Sequence, residues 1–276
     1  MTKTPSVLLL GAGNMGGALF EAWVASGGLD PARSAVVDPG ASDRIARICD
    51  ENGIALNPEE DRAYDVCVLA VKPQMFAAIL PDLDWPQMSD TLFLSIAAGT
   101  TALTIKRLLA ERAPGARVVR TMPSLPAMVR RAVTLLADDP ALTDDDKRVA
   151  TDLMGAAGET YWCRNEDHLD RVMGVTGCSP AFTFLLAEAL TEAAIEQGVE
   201  PADARRIAEA SVTGPAAMLA QDERPADVLR RAVTSPNGTT QAALDVLNEE
   251  RRGLKPLVAE AVRNAYRRAQ ELAEGQ

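Results

Sequence analysis

The chain has 276 residues, of which 47% are hydrophobic, and a formal net charge of −11. That length suits one large domain or two modest ones, and the apolar content is ample for a packed core. The acidic balance argues against nucleic acid, whose phosphates need a basic footprint, and against an anionic membrane surface.

The first apolar run, Val7-Leu8-Leu9-Leu10, is too short for the core of a signal peptide and leads at once into Gly11-Ala12-Gly13-Asn14-Met15-Gly16. A strand, a tight turn and a helix start are expected there. Gly11 permits the turn, Gly13 lets backbone approach a pyrophosphate, and Gly16 lets the helix pack close to the sheet. Uncapped N–H groups at that helix start favour an anion. Asp38 closes the next apolar run, Ala35-Val36-Val37, and lies about 20 residues beyond the last glycine, where a carboxylate meets the adenosine ribose. Glycine clusters also mark ordinary turns, but the strand before and the amphipathic stretch after favour a dinucleotide.

Further apolar runs at 66–71, 91–96, 117–121, 132–136 and 159–163 read as strands, with helical stretches such as 101–111 and 143–156 between them. The pattern predicts an α/β, Rossmann-like doubly wound domain built on a mostly parallel sheet. After Arg164 only helices are expected, punctuated by Pro180, Pro201, Pro215, Pro225 and Pro256. The division is therefore placed as 1–164, dinucleotide-binding, and 165–276, an all-α domain. Residues 181–197 are apolar around most of the helix, with Glu188, Glu192 and Glu196 as one polar stripe. Such a helix must be buried on most sides. An intersubunit core, hence a homodimer or larger, is the expected solution; the other is the central helix of a monomeric bundle. No run approaches the ~18 apolar residues of a membrane span.

Cys49, Cys67, Cys163 and Cys178 form no Cys-x-x-Cys pair, so no metal site is expected and a reduced, cytoplasmic setting is the simplest reading. Cys67 lies in an apolar run and reads as a small core hydrophobe. His168, the single histidine, sits in a polar helix start and reads as a surface residue.

Ligands of an open parallel sheet lie beyond the carboxyl ends of its strands. Ala70-Val71-Lys72-Pro73, Ala97-Ala98-Gly99 and Met122-Pro123-Ser124 all follow predicted strands. Lys72 is placed to face cofactor phosphates or ribose, or is a solvated surface lysine. The small residues Ala98 and Gly99 admit a flat nicotinamide ring. In the helical half, Ser235-Pro236-Asn237-Gly238-Thr239-Thr240 is a turn before a helix, where threonine caps N–H groups or free N–H groups hold a carboxylate. An alcohol-oxidising nicotinamide enzyme wants a histidine or lysine as base, and 177–184 contains neither. A C=N substrate removes that demand, because its nitrogen is already basic.

Together these segments resemble the pyrroline-5-carboxylate reductases. The resemblance implies reduction of 1-pyrroline-5-carboxylate, a cyclic imine carboxylate, to L-proline by NADPH or NADH. It implies a homodimer that assembles further in several members. It implies that Thr240 hydrogen-bonds the substrate ring nitrogen while Ser235 and the backbone at Gly238 and Thr239 hold the carboxylate. Asn57 and Lys72 fall where members contact the cofactor. Departures from the usual pattern stand at Thr176-Gly177-Cys178-Ser179-Pro180, at Ser124 and at Asn237. A hydroxyacid dehydrogenase of the same plan and a non-catalytic dinucleotide sensor are the competing readings. Asp38 is expected to repel a ribose 2′-phosphate and Arg44 to pair with one, so both cofactors are expected to serve.

Overall fold

The computed structural model of the protein describes residues 4–59 and 62–273. Uninterrupted apolar tetrads become the central strands: every residue of β1 (Val7–Leu10) and β4 (Val66–Leu69) is buried. Around them lie β2 (Ala35–Val37), β3 (Ala55–Leu56), β5 (Leu92–Ser95), β6 (Arg117–Met122), β7 (Ala132–Ala137) and β8 (Gly158–Cys163). They form one eight-stranded sheet in the order β3-β2-β1-β4-β5-β6-β7-β8. The ladder is parallel except between β6 and β7, where Thr121 faces Leu136 in an antiparallel pair. The mostly parallel sheet of the sequence reading is thus present. The two-residue β3 is an addition to it, too short to show a period.

The connecting helices are α1 (Asn14–Ser26), α2 (Asp43–Asn52), α3 (Phe76–Ile79), α4 (Ala102–Leu108), α5 (Asp144–Gly155) and α6 (Glu166–Thr176). Because side chains alternate along a strand, Leu9 and Val68 face one layer of core with Phe20, Trp23, Leu153 and Met154. Leu8 and Cys67 face the other with Phe76, Phe93 and Ile105. Burial pushes the Cys67 thiol well above its ordinary range, which fits a packing role. Three indoles hold this body together. Trp23 Nε1 donates to the Leu153 carbonyl at 2.8 Å, Trp85 Nε1 to Thr91 Oγ1 at 3.1 Å, and Trp162 Nε1 to Thr151 Oγ1 at 2.9 Å.

The chain divides into two compact units. One runs up to Gly177 and takes up the chain again from Tyr266; the other is Cys178–Ala265. The sequence puts the division after Arg164, but α6 packs with the sheet: Leu169 is fully buried beside Leu135, Ala137 and Cys163. On the far end of the chain, Tyr266 Oη donates to Asp167 of α6 at 2.7 Å, and the Arg171 guanidinium lies 4.7 Å from its ring centroid. His168 accepts the Arg164 N–H on Nδ1 at 3.1 Å and meets the Tyr161 ring edge-on at 6.2 Å between centroids.

The second unit contains α7 (Ser179–Glu196), α8 (Pro201–Gln221), α9 (Ala226–Ala232), α10 (Thr239–Leu247) and the first part of α11 (Leu254–Ala273). Helices α7 and α8 pack on each other, yet no residue of α7 is buried. Phe184 and Leu185 are 58% and 62% exposed. The monomeric-bundle reading of this helix is therefore overturned: the chain by itself does not cover it. One further expectation is corrected. The stretch Glu166–Glu196, with a mean hydropathy of 1.3 in its most apolar window, is long and apolar enough to cross a membrane by length and composition. Its apolar residues are interrupted by Gly174, Thr176, Gly177, Ser179, Pro180 and Thr183, so no uninterrupted run announces it.

Candidate active site

The registers align the strand ends. Leu10 lies opposite Val37 and Leu69, Leu69 opposite Ser95, and Ser95 opposite Arg120. The loops after β1, β2, β4, β5 and β6 therefore leave from one edge. Chain direction from β1 reverses there, with β2 on one side and β4 on the other, which opens a crevice.

The glycine loop is shaped by contacts that leave no room for side chains. Gly11 has φ +91°, and a Cβ there would meet the Ala70 carbonyl at 2.9 Å. At Gly16 a Cβ would lie 2.3 Å from the Gly11 oxygen. At Gly13, by contrast, it would meet no protein atom within 4 Å. The protein's own packing does not demand glycine at 13. Helix α1 starts at Asn14 with no side-chain cap and no acidic residue in its first turn, so its N–H groups fit an anionic pyrophosphate.

Asp38 follows β2 and is engaged on both oxygens. Oδ2 accepts the Ala12 N–H at 2.7 Å and Oδ1 the Gly40 N–H at 2.8 Å. Asn57, at φ +48°, closes against it: its Oδ1 accepts the Asp38 N–H at 2.8 Å and its Nδ2 donates to the Asp38 carbonyl at 3.1 Å. Three separately predicted elements, the glycine loop, Asp38 and Asn57, are thereby brought together. Beside them lies a cavity of about 290 Å³ lined by Ala12, Gly13, Asn14, Asp38, Ser42 and Arg44, among others. Arg44 is ion-paired with Glu21 of α1 across this cavity. Met128, 63% exposed, also lines it; nothing in the sequence marked Met128 or Glu21. Ala70, Val71, Lys72 and Pro73 leave β4 at the same edge, with Lys72 exposed and in no ion pair among the described residues. Ala98 is exposed and Gly99 has φ +71° in the loop after β5. Met15, in the first turn of α1, is half-buried against the core.

Ser124, a departure noted above, is buried and its hydroxyl accepts the Val133 N–H at 2.9 Å, so it fastens β7. Cys178 is half-exposed at the start of α7, and like the other cysteines it is a free thiol.

In the second unit, Gly238 N–H donates to the Ser235 carbonyl at 3.1 Å, closing a turn in which Asn237 has φ +57°. Asparagine tolerates that conformation, so the departure at 237 preserves the turn. A Cβ at Gly238 would lie 2.8 Å from Ser235 Oγ. Gly238 is the N-cap of α10, and no side chain caps the helix. Thr239 and Thr240 are its first two residues and both are exposed. The threonine-cap reading is not met; the N–H groups stay free for a carboxylate.

A doubly wound sheet, a glycine loop without capping groups and a carboxylate-ready helix start define a nicotinamide-dinucleotide oxidoreductase acting on a small acid. Residues 166–272 match the pyrroline-5-carboxylate reductase dimerisation family, and residues 6–99 the family described as NADP oxidoreductase coenzyme F420-dependent. A pyrroline-5-carboxylate reductase of Pseudomonas aeruginosa is 36% identical over 276 residues, covering 99% of this chain and 98% of its own. The structure of the Coxiella burnetii pyrroline-5-carboxylate reductase superposes with a TM-score of 0.87 at 32% identity, covering 98% of this chain and 99% of that one. The Plasmodium falciparum pyrroline carboxylate reductase with NADP bound shares the fold at a TM-score of 0.78 and 20% identity, covering 99% of this chain and 100% of that one. The chain belongs to the pyrroline-5-carboxylate reductase family.

Proposed function

We propose that this protein reduces 1-pyrroline-5-carboxylate to L-proline with NADPH or NADH, as a homodimer or larger assembly in the cytoplasm. The observation that carries the reading is a chain with two uncapped helix starts, one behind the glycine loop and one behind the turn at 235–238, in a family named for this reaction. The unit built on the sheet holds the dinucleotide, and the helical unit, Cys178–Ala265, holds the imine and the dimer contacts. The bound reduced nicotinamide supplies the hydride. Gly11, Ala12, Gly13, Asn14, Met15 and Gly16 receive its pyrophosphate, Asp38 and Asn57 shape the ribose end, 70–73 line the strand edge, and Ala98 and Gly99 offer a flat surface to the ring.

Ser235 and the backbone at Gly238 and Thr239 hold the imine's carboxylate. The Thr240 hydroxyl orients the ring nitrogen and holds its proton. No histidine or lysine base is needed, since the imine nitrogen itself carries the proton. Four free thiols support a reducing compartment, and the exposed apolar face of α7 supports assembly.

The test is a turnover assay of the full-length protein with the cyclic imine and each reduced cofactor. Imine-dependent loss of reduced-nicotinamide absorbance with formation of proline is expected. A folded protein that oxidises neither cofactor in the presence of the imine overturns the reading.

A further inference from the structure

The loop after β5 is fixed at both ends, and the second tether comes from an element distant in sequence. At its start, Thr121 Oγ1 donates to the Ser95 carbonyl at 3.1 Å and the Ala97 N–H donates to Ser95 Oγ at 3.3 Å. At its end, the N–H of Ala102, the first residue of α4, donates to Glu166 Oε1 at 2.9 Å. Glu166 opens α6 and so acts as a cap borrowed from another helix.

Glu166 is itself held. Its Oε2 lies 3.5 Å from Nη1 of Arg120, a side chain only 4% exposed. Arg120 completes a two-pronged pair with Asp170, at 3.1 and 2.6 Å. A guanidinium this buried requires such partners, and its planar fork fixes where the carboxylates stand. Burial, with the negative charge of Asp170 nearby, pushes the adjacent Cys163 thiol up to about 11. Arg120 lies opposite Ser95 in the sheet, so the guanidinium stands at the same strand end from which the loop departs.

We infer that Glu166, held by Arg120, is a positioning residue for hydride transfer that fixes residues 97–101. This rests on the reading above, in which that loop is the surface for the nicotinamide. Misplacing a reacting group by about 1 Å costs on the order of a hundredfold in rate, so a slack loop end is felt in the chemical step. The rival is a purely structural role, fastening α6 to the sheet.

Glu166→Ala, Glu166→Gln and Glu166→Asp in the full-length protein separate the two. The readouts are kcat, KM for the reduced cofactor and for the imine, the primary isotope effect with cofactor deuterated at the transferred position, cofactor Kd by titration of protein fluorescence, and Tm. Glu166→Ala should lower kcat/KM for the cofactor about tenfold to a hundredfold, raise the isotope effect and weaken cofactor binding, with little change in KM for the imine. Glu166→Gln keeps a carbonyl for the Ala102 N–H and should restore most of the loss. Glu166→Asp keeps the charge beside Arg120 but withdraws the acceptor, and should resemble the alanine variant. Should the alanine variant fail to fold, the glutamine and aspartate variants decide alone. A lowered Tm with normal kcat, cofactor KM, Kd and isotope effect overturns the inference, as does a normal aspartate beside an impaired glutamine variant. A wild-type protein without imine turnover overturns the proposed reaction instead; the Kd series then still decides whether Glu166 acts on the cofactor loop.

Discussion

The carboxylate of Asp38 accepts the backbone N–H of Ala12 at 2.7 Å, so the residue after β2 is a strut for the glycine loop. Losing that acceptor leaves a buried N–H unsatisfied, at about 1–3 kcal/mol. Asp38→Ala is therefore expected to raise KM for NADH and NADPH together. Kinetics with both cofactors check it; a selective loss of NADH with improved NADPH use would make Asp38 a reader of the ribose instead.

The glycines of the loop should separate by experiment. Gly16→Ala places a methyl 2.3 Å from the Gly11 oxygen and should disrupt the fold of this region, lowering Tm. Gly13→Ala meets no protein atom within 4 Å and should fold normally while binding cofactor at least tenfold more weakly, about 1.4 kcal/mol. Circular dichroism and cofactor titration of both variants test the contrast, and an alanine at 13 with unchanged affinity contradicts it.

Thr240 caps nothing: α10 has glycine at its N-cap and no side-chain acceptor there. Thr240→Ala should leave Tm nearly unchanged yet lower turnover of the imine. A charge-assisted hydrogen bond of about 1.5–3 kcal/mol corresponds to roughly tenfold to a hundredfold in rate. Thr240→Ser should keep most activity. Full turnover in the alanine variant removes the hydroxyl from the mechanism.

Assembly can be tested on α7. A leucine side chain gains about 1.5–3 kcal/mol on full burial, and Leu185 is 62% exposed in the isolated chain. The wild type is expected to sediment as a dimer at least, and Leu185→Asp should shift it to a smaller species in sedimentation velocity. Unchanged sedimentation of a folded variant places the contact elsewhere.

Much of the first unit was legible because strands buried on both faces must be apolar throughout, and 66–71 or 91–96 can be little else. The glycine loop was legible for a related reason, since backbone crowding at Gly11 and Gly16 writes itself into residue type. Other features had no local signal. The bond from Ala12 to Asp38 joins loops 26 residues apart, and nothing in the spacing tells a ribose ligand from a loop strut. The placement of α6 depends on Leu169 finding Cys163 and Leu135, a tertiary contact. Arg120 did carry a readable sign. A charge within Val118-Val119-Arg120-Thr121 has to be paired if the strand is buried, but its partners Asp170 and Glu166 lie 50 and 46 residues away.

The indoles that lock the first unit have an optical consequence. Trp23, Trp85 and Trp162, together with Tyr64, Tyr161 and Tyr266, account for every tryptophan and tyrosine in the chain, and all of them belong to that unit. The helical unit contains only phenylalanine among the aromatic residues, Phe182 and Phe184. Intrinsic emission is thus a reporter for the first unit alone, while the helical unit is dark to it. Tryptophan emission in a melt reads the first unit and far-ultraviolet dichroism reads both, so a transition seen only by dichroism belongs to the helical unit, without any label.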